Sequence, residues 1–469
     1  MMAQHLAAIL HFNGKFFVPM KICFAFILFI CLSACETTSD SKEMVKLVTV
    51  DPGHFHAALV QKTMYDGVDS VAYVYAPEGT DLYLHLSRIE AYNNRMENPT
   101  HWSTEIYTGS DFFSRMTTEK KGNVVVLSGN NMKKTKYIYE SLQAGMHVLT
   151  DKPMAINNHD FKLLRQSFAA AKQNNLLLYD IMTERYEITT MLQRELSQVP
   201  EIFGQLEKGT LENPAITKES VHHFYKYVSG NVLTRPAWFM DVEQQGEGLV
   251  DVMTHLVDLV QWECFPNQIL DTIDVQVVNA KRWSTSMSLE QFKTITKLDS
   301  FPEYLNKNVD EDSLEIYCNG MINYQLKGVH AETSVIWRYA APAGTGDTHY
   351  SIMRGTKANL IIRQGKEEKF RPTLYIEPVG DPKSLEATIA TDFEAIQKKF
   401  PGMALNQIQN GWIVIIPEQY REGHEAHFAR VTQKFLEYLK NNNMPEWEVP
   451  NMVTKYYTTN QGLLRARGR

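Results

Sequence analysis

The stretch from Val125 to Pro153, VVLSGNNMKKTKYIYESLQAGMHVLTDKP, constrains the fold of this chain more than any other. It starts with a run of apolar residues that predicts a buried strand, followed by a polar loop and an amphipathic helix. A second short apolar strand then ends on Asp151-Lys152-Pro153. A strand, helix and strand in this order predict a parallel sheet. Lys152 would then lie at the carboxyl edge, where open α/β sheets bind ligands.

The same alternation of strand and helix continues on both sides of this stretch. We predict an α/β domain over residues 45–181, including a helical segment from Asp81 to Trp102. The further predicted strands are Lys46–Val50, Val71–Tyr75, Glu105–Tyr107 and Leu176–Tyr179. This domain would end near Ile181, and a helix from Thr183 to Ser197 would follow it.

A second informative stretch, GEGLVDVMTHLVDLVQW, runs from Gly246 to Trp262. Asp251, His255 and Asp258 recur here at i, i+4 and i+7, which places all three on one face of a predicted helix. Burying such polar groups without partners is costly, so the pattern indicates that they are used. All three are ligand types for a metal, but no complementary ligand cluster is evident, and we expect no metal there.

Both stretches resemble the Gfo/Idh/MocA oxidoreductases, although Asp151 stands where that family usually has glutamate. The resemblance implies an α/β Rossmann-like dinucleotide-binding domain followed by an α+β domain with a mostly antiparallel open sheet. It also implies that Lys152, His255 and Asp251 are catalytic. His255 would be the general acid/base, since an imidazole exchanges protons near neutral pH.

The resemblance further implies that NAD or NADP binds at the carboxyl edge of the sheet. The family's glycine-rich phosphate turn corresponds to residues 51–56, but this chain keeps only Gly53 of its three glycines. Asp51 adds a negative charge and Pro52 removes an N–H group, which weakens the phosphate cradle. The residues that we expect at the cofactor are Gly53, His54, Phe55, Ser128, Asn130, Asp151 and Lys152.

Substrate contacts are expected from both domains. The resemblance places Lys152, Asp251 and His255 at the substrate, and Arg185 where the family often has an arginine, although a domain-bridging ion pair is the alternative for that arginine. His222 and His223 are adjacent in a predicted strand, so only one of them can face a shared pocket. We assign His223 to the substrate.

Residues 182–469 predict the α+β substrate domain. Strand-like segments Gly204–Gly209 and Val221–Val228 precede six short alternating strands, with turns at Asn319-Gly320 and at Gly355-Thr356-Lys357. Two amphipathic helices, Ala387–Phe400 and Glu422–Asn441, are predicted near the end. We expect copies of the chain to associate through this sheet.

The N-terminal segment predicts export. The apolar run Ile22–Leu32 is too short to span a bilayer but suits a signal peptide that begins at Met20. The ending Leu32-Ser33-Ala34-Cys35 resembles a bacterial lipoprotein signal, which implies lipidation of Cys35. We therefore divide the N-terminus into a leader with signal peptide, residues 1–35, and a polar tether, residues 36–44, and expect a lipid-anchored protein outside the cytoplasm.

The sequence thus predicts an oxidoreductase that acts on a secondary alcohol of a sugar, polyol or glycoside. An exported enzyme has no cellular nicotinamide pool to exchange with, so we expect tightly held NAD(P) and a redox-neutral reaction. The alternative is a saccharide-binding lipoprotein that has lost its cofactor, as the altered turn at residues 51–56 indicates. The net charge of −7 and the absence of a basic stripe argue against a nucleic-acid partner.

Overall fold

A six-stranded parallel sheet forms the first part of the computed structural model, which describes residues 44–228, 231–381 and 383–468. The strand order is β3-β2-β1-β4-β5-β6, and every neighbouring pair is parallel. The six strands are β1 (Leu47–Val50), β2 (Val71–Tyr75), β3 (Ser103–Tyr107), β4 (Val124–Leu127), β5 (His147–Asp151) and β6 (Leu178–Ile181). The order reverses direction at β1 and β4, and such a switch point opens a crevice at the carboxyl ends of the strands.

Helices connect these strands. Their apolar faces are buried against the sheet, as Ile138 and Leu142 of the fourth helix illustrate. The helices are α1 (His56–Val60), α2 (Thr80–Asn94), α3 (Phe112–Glu119), α4 (Asn131–Gln143) and α5 (Asn158–Gln173). The predicted Rossmann-like fold of this part is therefore confirmed.

A ten-stranded mixed sheet forms the second part, and all of its pairs are antiparallel except β7 with β13. Its order is β10-β12-β13-β7-β14-β15-β16-β18-β17, with β11 beside β12. The strands after β6 are β7 (Ile216–Tyr225), β8 (Tyr227–Val228), β9 (Asn231–Val232), β10 (Val275–Ser288), β11 (Val309–Asp310), β12 (Ser313–Leu326), β13 (Val329–Ala340), β14 (Thr348–Arg354), β15 (Ala358–Arg363), β16 (Thr373–Pro378), β17 (Ala404–Ile408) and β18 (Gly411–Ile415). Strands β8 and β9 pair only with each other. The mostly antiparallel sheet that the sequence predicts is confirmed.

The remaining helices pack on both sheets. They are α6 (Ile188–Ser197), α7 (Met253–Cys264), α8 (Leu289–Thr296), α9 (Lys383–Glu386), α10 (Ile389–Asp392), α11 (Glu394–Lys399), α12 (His424–Asn441) and α13 (Glu448–Ala466). Helix α7 belongs to the core of the large sheet, whereas Phe428 and Phe435 of α12 and Tyr456 of α13 are buried in the core of the parallel sheet. The two C-terminal helices, α12 and α13, therefore pack against the N-terminal parallel sheet. Because residues from Met44 onward form one compact unit, the division at residue 181 stays a prediction.

Several local predictions were wrong. The helix predicted to reach Trp102 ends at Asn94, and Gly204–Gly209 contains only isolated bridges instead of a strand. The turn predicted at Asn319-Gly320 lies inside the continuous strand β12, whose hairpin instead turns at Lys327-Gly328, where both φ angles are positive. Strand β10 and helix α13 had not been predicted.

The leader, the signal peptide and Cys35 lie outside the described residues. Among the helices of the described part, none combines the length and the apolar character that crossing a bilayer requires.

Candidate active site

A cavity of about 1420 Å³ opens at the carboxyl ends of β1 and β5. Its wall combines residues of the parallel sheet, such as Lys152, with Asp251 and His255 at the start of α7 and Trp337 of the large sheet. The volume exceeds the roughly 300–1,000 Å³ that is typical of small-molecule sites. The cavity therefore has room for a cofactor and a substrate together.

Lys152 and Asp251 form an ion pair inside this cavity. The Lys152 Nζ donates to Asp251 Oδ1 at 2.5 Å, and Gln245 Nε2 donates to Asp251 Oδ2 at 3.1 Å. Lys152 follows β5 directly, and Asp251 lies in the turn just before α7. The pair joins the two predicted stretches across 99 residues of sequence and fixes the ammonium at the cavity wall.

His255 faces the same cavity from the first turn of α7. The residue is only 8% exposed, and within the described residues its Nδ1 has no hydrogen-bond partner. Burial, assisted by the positive charge of Lys152, holds the pKa of His255 well below its ordinary value. His255 is therefore a neutral imidazole on the cavity wall, and its Nδ1 is buried without a hydrogen-bond partner among the described residues.

Asp258, the third member of the predicted polar stripe, does not reach the cavity. It accepts hydrogen bonds from Arg185 Nε and Nη2 at 2.6 and 2.7 Å and from Lys455 Nζ at 2.8 Å. Arg185 also contacts Glu448 at 3.1 Å. Its guanidinium is thus engaged by two buried carboxylates and is absent from the cavity wall, as the ion-pair alternative predicted. A contact of Arg185 with the substrate stays a prediction.

The two adjacent histidines of β7 both contact Asp347, and only one of them lines the cavity. His222 lines the cavity, contacts Asp347 Oδ2 through Nδ1 at 3.2 Å and stacks on Trp337 with ring centroids 5.2 Å apart. His223 is 3% exposed, is absent from the cavity wall and contacts Asp347 Oδ1 through Nδ1 at 3.1 Å. The cavity residue of the pair is therefore His222, and a contact of His223 with the substrate stays a prediction.

The turn at residues 51–56 differs from a phosphate-binding turn. Asp51 adopts a φ of 46°, the left-handed conformation that a glycine adopts more easily. The N–H groups of Gly53 and His54 already donate, to Asp51 O at 2.9 Å and to Ser128 O at 3.1 Å. A Cβ on Gly53 would lie 2.9 Å from Trp238 Cζ2, so an indole covers the turn.

Only some of the residues predicted at the cofactor line the cavity. His54, Phe55, Asp151 and Lys152 line the cavity, whereas Gly53 borders only a small cleft beside it. Ser128 and Asn130 are absent from the cavity wall. Ser128 Oγ donates to Asp151 Oδ2 at 3.2 Å, while Asn130 caps α4 and donates to Gln244 Oε1 at 2.7 Å. The structure therefore places Asn131 on the cavity wall and Ser128 and Asn130 beside it, and contact of the latter two with the cofactor stays a prediction.

Three cavity residues were missed by sequence reasoning. Burial beside other carboxylates raises the pKa of Glu184 to about 7, which suits proton transfer at neutral pH. Arg235 lines both the cavity and the cleft over the turn, and His424 faces the cavity from the start of α12. Glu184 directly precedes Arg185 and could have been considered with it, whereas no sequence pattern marks Arg235 or His424.

A nicotinamide dinucleotide fits this site by its volume and by the groups at the strand ends. Lys152 and Asn131 line the cavity at the carboxyl ends of the strands, where a Rossmann-like crevice would hold a dinucleotide, and Arg235 lines both the cavity and the cleft beside the turn. The backbone amides of Gly53 and His54 are already bonded within the protein.

The chain is similar to known oxidoreductases. Residues 192–467 match the family described as "Putative oxidoreductase C terminal domain". A crystal structure of a "putative oxidoreductase" from Parabacteroides merdae ATCC 43184 is 56% identical, covers 91% of this chain and 98% of that chain, and superposes with a TM-score of 0.89. No curated protein matches the chain.

Two distant structures share the fold alone. Levoglucosan dehydrogenase in complex with NADH and levoglucosan is 12% identical over 90% of this chain and 97% of that chain, with a TM-score of 0.57. Biliverdin reductase from Synechocystis sp. PCC 6803, in complex with biliverdin and NADP+, is 11% identical over 90% of this chain and 99% of that chain, with a TM-score of 0.55.

Proposed function

The chain belongs to the Gfo/Idh/MocA family of oxidoreductases, and we propose that it oxidises a secondary alcohol of a sugar, polyol or glycoside with tightly held NAD(P). The observation that carries the proposal is the meeting of Lys152, Asp251 and His255 on one cavity wall. The fold relatives that bind NADH with levoglucosan, or NADP+ with biliverdin, support the choice of cofactor.

The residues of this chain supply the proton chemistry and the orientation of the substrate. The neutral imidazole of His255, which lines the cavity, would accept the hydroxyl proton as the alcohol is oxidised. The ammonium of Lys152, fixed by Asp251, would stabilise negative charge on the same oxygen. Bound NAD(P) supplies the hydride acceptor.

Glu184 gives the released proton a route toward solvent. It lines the same cavity, and its pKa of about 7 lets it accept a proton at neutral pH. The cavity wall also carries the aromatic side chains of Trp337 and Tyr225, which are compatible with a carbohydrate. These residues favour a polyhydroxylated substrate.

Lipid anchoring outside the cytoplasm remains our proposal for the location of the protein, supported by the signal-like sequence that ends at Cys35. There, the cofactor must be regenerated within each catalytic cycle. We therefore propose that the overall reaction is redox-neutral, so that oxidation of one carbon is followed by reduction of the same or a second sugar.

The direct experiment is to denature the purified full chain and to analyse the supernatant for nucleotide by absorbance and mass. We expect NAD or NADP to be released, and NAD(P) to raise the melting temperature of protein from which the nucleotide was removed. Absence of nucleotide together with no thermal shift would contradict the proposal.

Variants test the assigned residues. Lys152→Ala and His255→Ala should each abolish turnover, measured as sugar oxidation across a panel of hexoses and glycosides. His159→Ala is the matched control, because that imidazole is 87% exposed and lies outside the cavity. Turnover that survives in either cavity variant would refute the role of that residue.

A second candidate function is saccharide capture without catalysis. The occupied amides of the turn and the indole over Gly53 favour it, since both weaken a phosphate site. Thermal stabilisation by a sugar, in protein that neither releases nor binds nucleotide, would identify capture.

A further inference from the structure

A cluster of two histidines and one aspartate lies at the end of the cavity, where the first turn meets β5. His56 Nδ1 is 2.8 Å from Asp151 Oδ2, and His54 Nδ1 is 3.6 Å from the same oxygen. Each residue offers a ligand atom, and these atoms all lie within 4.8 Å of one another. Among the residues that the structure describes, no other trio of histidine, cysteine or acidic side chains meets this condition.

The fold holds the three side chains together. The turn is fixed against the loop after β4, because His54 N–H donates to Ser128 O at 3.1 Å and Gly129 leaves no room for a side chain beside Asp51 O. Asp151 is fixed in turn by Ser128 Oγ, at 3.2 Å from its Oδ2. A carboxylate held by outer groups in this way resembles the second shell of metal sites.

The chemistry of the cluster suits a metal ion. Two imidazoles and one carboxylate are ligand types that zinc binds in proteins. His54, His56 and Asp151 are all only slightly exposed, yet all three line the large cavity. Three protein ligands with one side open to a cavity are typical of catalytic zinc sites.

Hydrogen bonding alone accounts for only part of this arrangement. It explains the contact of His56 with Asp151, and the His56 N–H also donates to His54 Nδ1 at 3.4 Å. The 3.6 Å separation of His54 Nδ1 from the carboxylate is too long for a hydrogen bond. A third imidazole, that of His424, faces the cluster from α12 with its ring centroid 5.4 Å from that of His56. The site is therefore surrounded by nitrogen donors.

We propose that His54, His56 and Asp151 bind a divalent transition-metal ion such as Zn²⁺, with an open coordination position that faces the cavity. This site goes beyond the proposed function and differs from the sequence-based expectation of no metal. Two of its ligands come from the turn at residues 51–56, and Lys152 directly follows the third. A water molecule or a substrate oxygen would occupy the open position.

The test measures metal binding itself and therefore does not depend on turnover or on nucleotide. The purified full chain is stripped with EDTA and titrated with ZnCl₂, MnCl₂ or MgCl₂ in a calorimeter. We expect about one Zn²⁺ per chain, weaker Mn²⁺ binding and no Mg²⁺ binding, since imidazole ligands favour transition metals. Cobalt loading should give a visible spectrum that Zn²⁺ abolishes.

Variants locate the site. His56→Gln and Asp151→Asn should each weaken Zn²⁺ binding by more than about 100-fold, because even second-shell changes cost about 10- to 100-fold. His159→Gln is the control, since it removes a surface imidazole 3.4 Å from Asp160 and should leave binding unchanged. If a cluster variant does not fold, the ligands are read from X-ray absorption of the cobalt-loaded wild type, which should show imidazole nitrogen.

Any one of three results would overturn the proposal. The first is the absence of stoichiometric Zn²⁺ or Co²⁺ binding by the wild-type chain. The second is unchanged affinity in folded His56→Gln and Asp151→Asn variants. The third is an X-ray absorption spectrum of the cobalt-loaded protein without nitrogen ligands. Loss of metal binding with NAD(P) binding intact, or the reverse, would separate this proposal from the proposed function.

Discussion

The ion pair between Lys152 and Asp251 gives the sharpest quantitative test of the site. Its charged atoms are 2.5 Å apart, and its side chains are only 10% and 6% exposed. Lys152→Met removes the ammonium at similar volume and leaves the Asp251 carboxylate with Gln245 Nε2 as its remaining partner, at 3.1 Å. Breaking a buried ion pair costs about 3–5 kcal/mol. Because that hydrogen bond remains, we expect the free energy of unfolding to fall by about 3 kcal/mol.

Removing the charge of Asp251 should lower the free energy of unfolding less than removing that of Lys152. Asp251→Asn leaves the Lys152 ammonium at the wall of an open cavity, where water can solvate it and the amide oxygen can still accept a hydrogen bond from it. We expect a loss of about 1 kcal/mol. The double variant should lose about 2 kcal/mol instead of the sum of the two single losses, which corresponds to a coupling energy of about 2 kcal/mol.

Urea unfolding of the four proteins, followed by circular dichroism, measures this cycle. The matched control is Lys121→Met, because Lys121 pairs with Glu105 at 3.0 Å while both side chains are about half exposed. That variant should lose no more than about 1 kcal/mol. If Lys152→Met is as stable as Lys121→Met, or if the two cavity substitutions are additive, the reasoning from burial is refuted.

Three further predictions concern pH, packing and the buried network. Burial raises the pKa of Glu184 from its ordinary 4.5 to about 7, so wild-type folding stability should decline as the pH rises from 4.5 to 7. Glu184→Gln should make this decline smaller in urea titrations, while Glu263, whose pKa is also raised to about 7, still contributes to it. A decline of equal size in the variant would contradict the assignment. Gly53→Ala should lower the melting temperature and reduce the free energy of unfolding by about 1–3 kcal/mol, because the added Cβ would lie 2.9 Å from Trp238 Cζ2. Adding Trp238→Phe to this variant should restore part of the lost stability. Asp258→Asn should cost about 3–5 kcal/mol at pH 7 by leaving the buried Arg185 without one of its carboxylates. Burial would raise the pKa of Asp258, but Arg185 outweighs it and holds that pKa below its ordinary 3.8. The difference in free energy of unfolding between wild type and Asp258→Asn should therefore shrink as the pH falls below 3.8. A difference that stays constant with pH would refute this reasoning.

The parallel sheet could be predicted because each of its elements has a local signal. Strands β2 and β4 are short apolar runs, and helix α5 follows an apolar periodicity that its burial pattern reproduces. Strand β10 was missed because most of its residues are polar and only partly buried, so the sequence lacks an alternating pattern. The turn placed at Asn319-Gly320 failed because tertiary pairing with β10 and β13 kept β12 extended through both residues.

The sequence by itself determined which residue types stand at the edge of the sheet and at the start of α7, since strand ends and helical spacing are local properties. Only the tertiary structure decided which of these side chains share a cavity. Arg185 meets Asp258 and Glu448 across 73 and 263 residues of sequence. His54 and His56, which follow β1, meet Asp151 at the end of β5. The physical reason is that a charge or an imidazole finds its partner by packing in three dimensions, and spacing along one helix or strand carries no record of that distant partner.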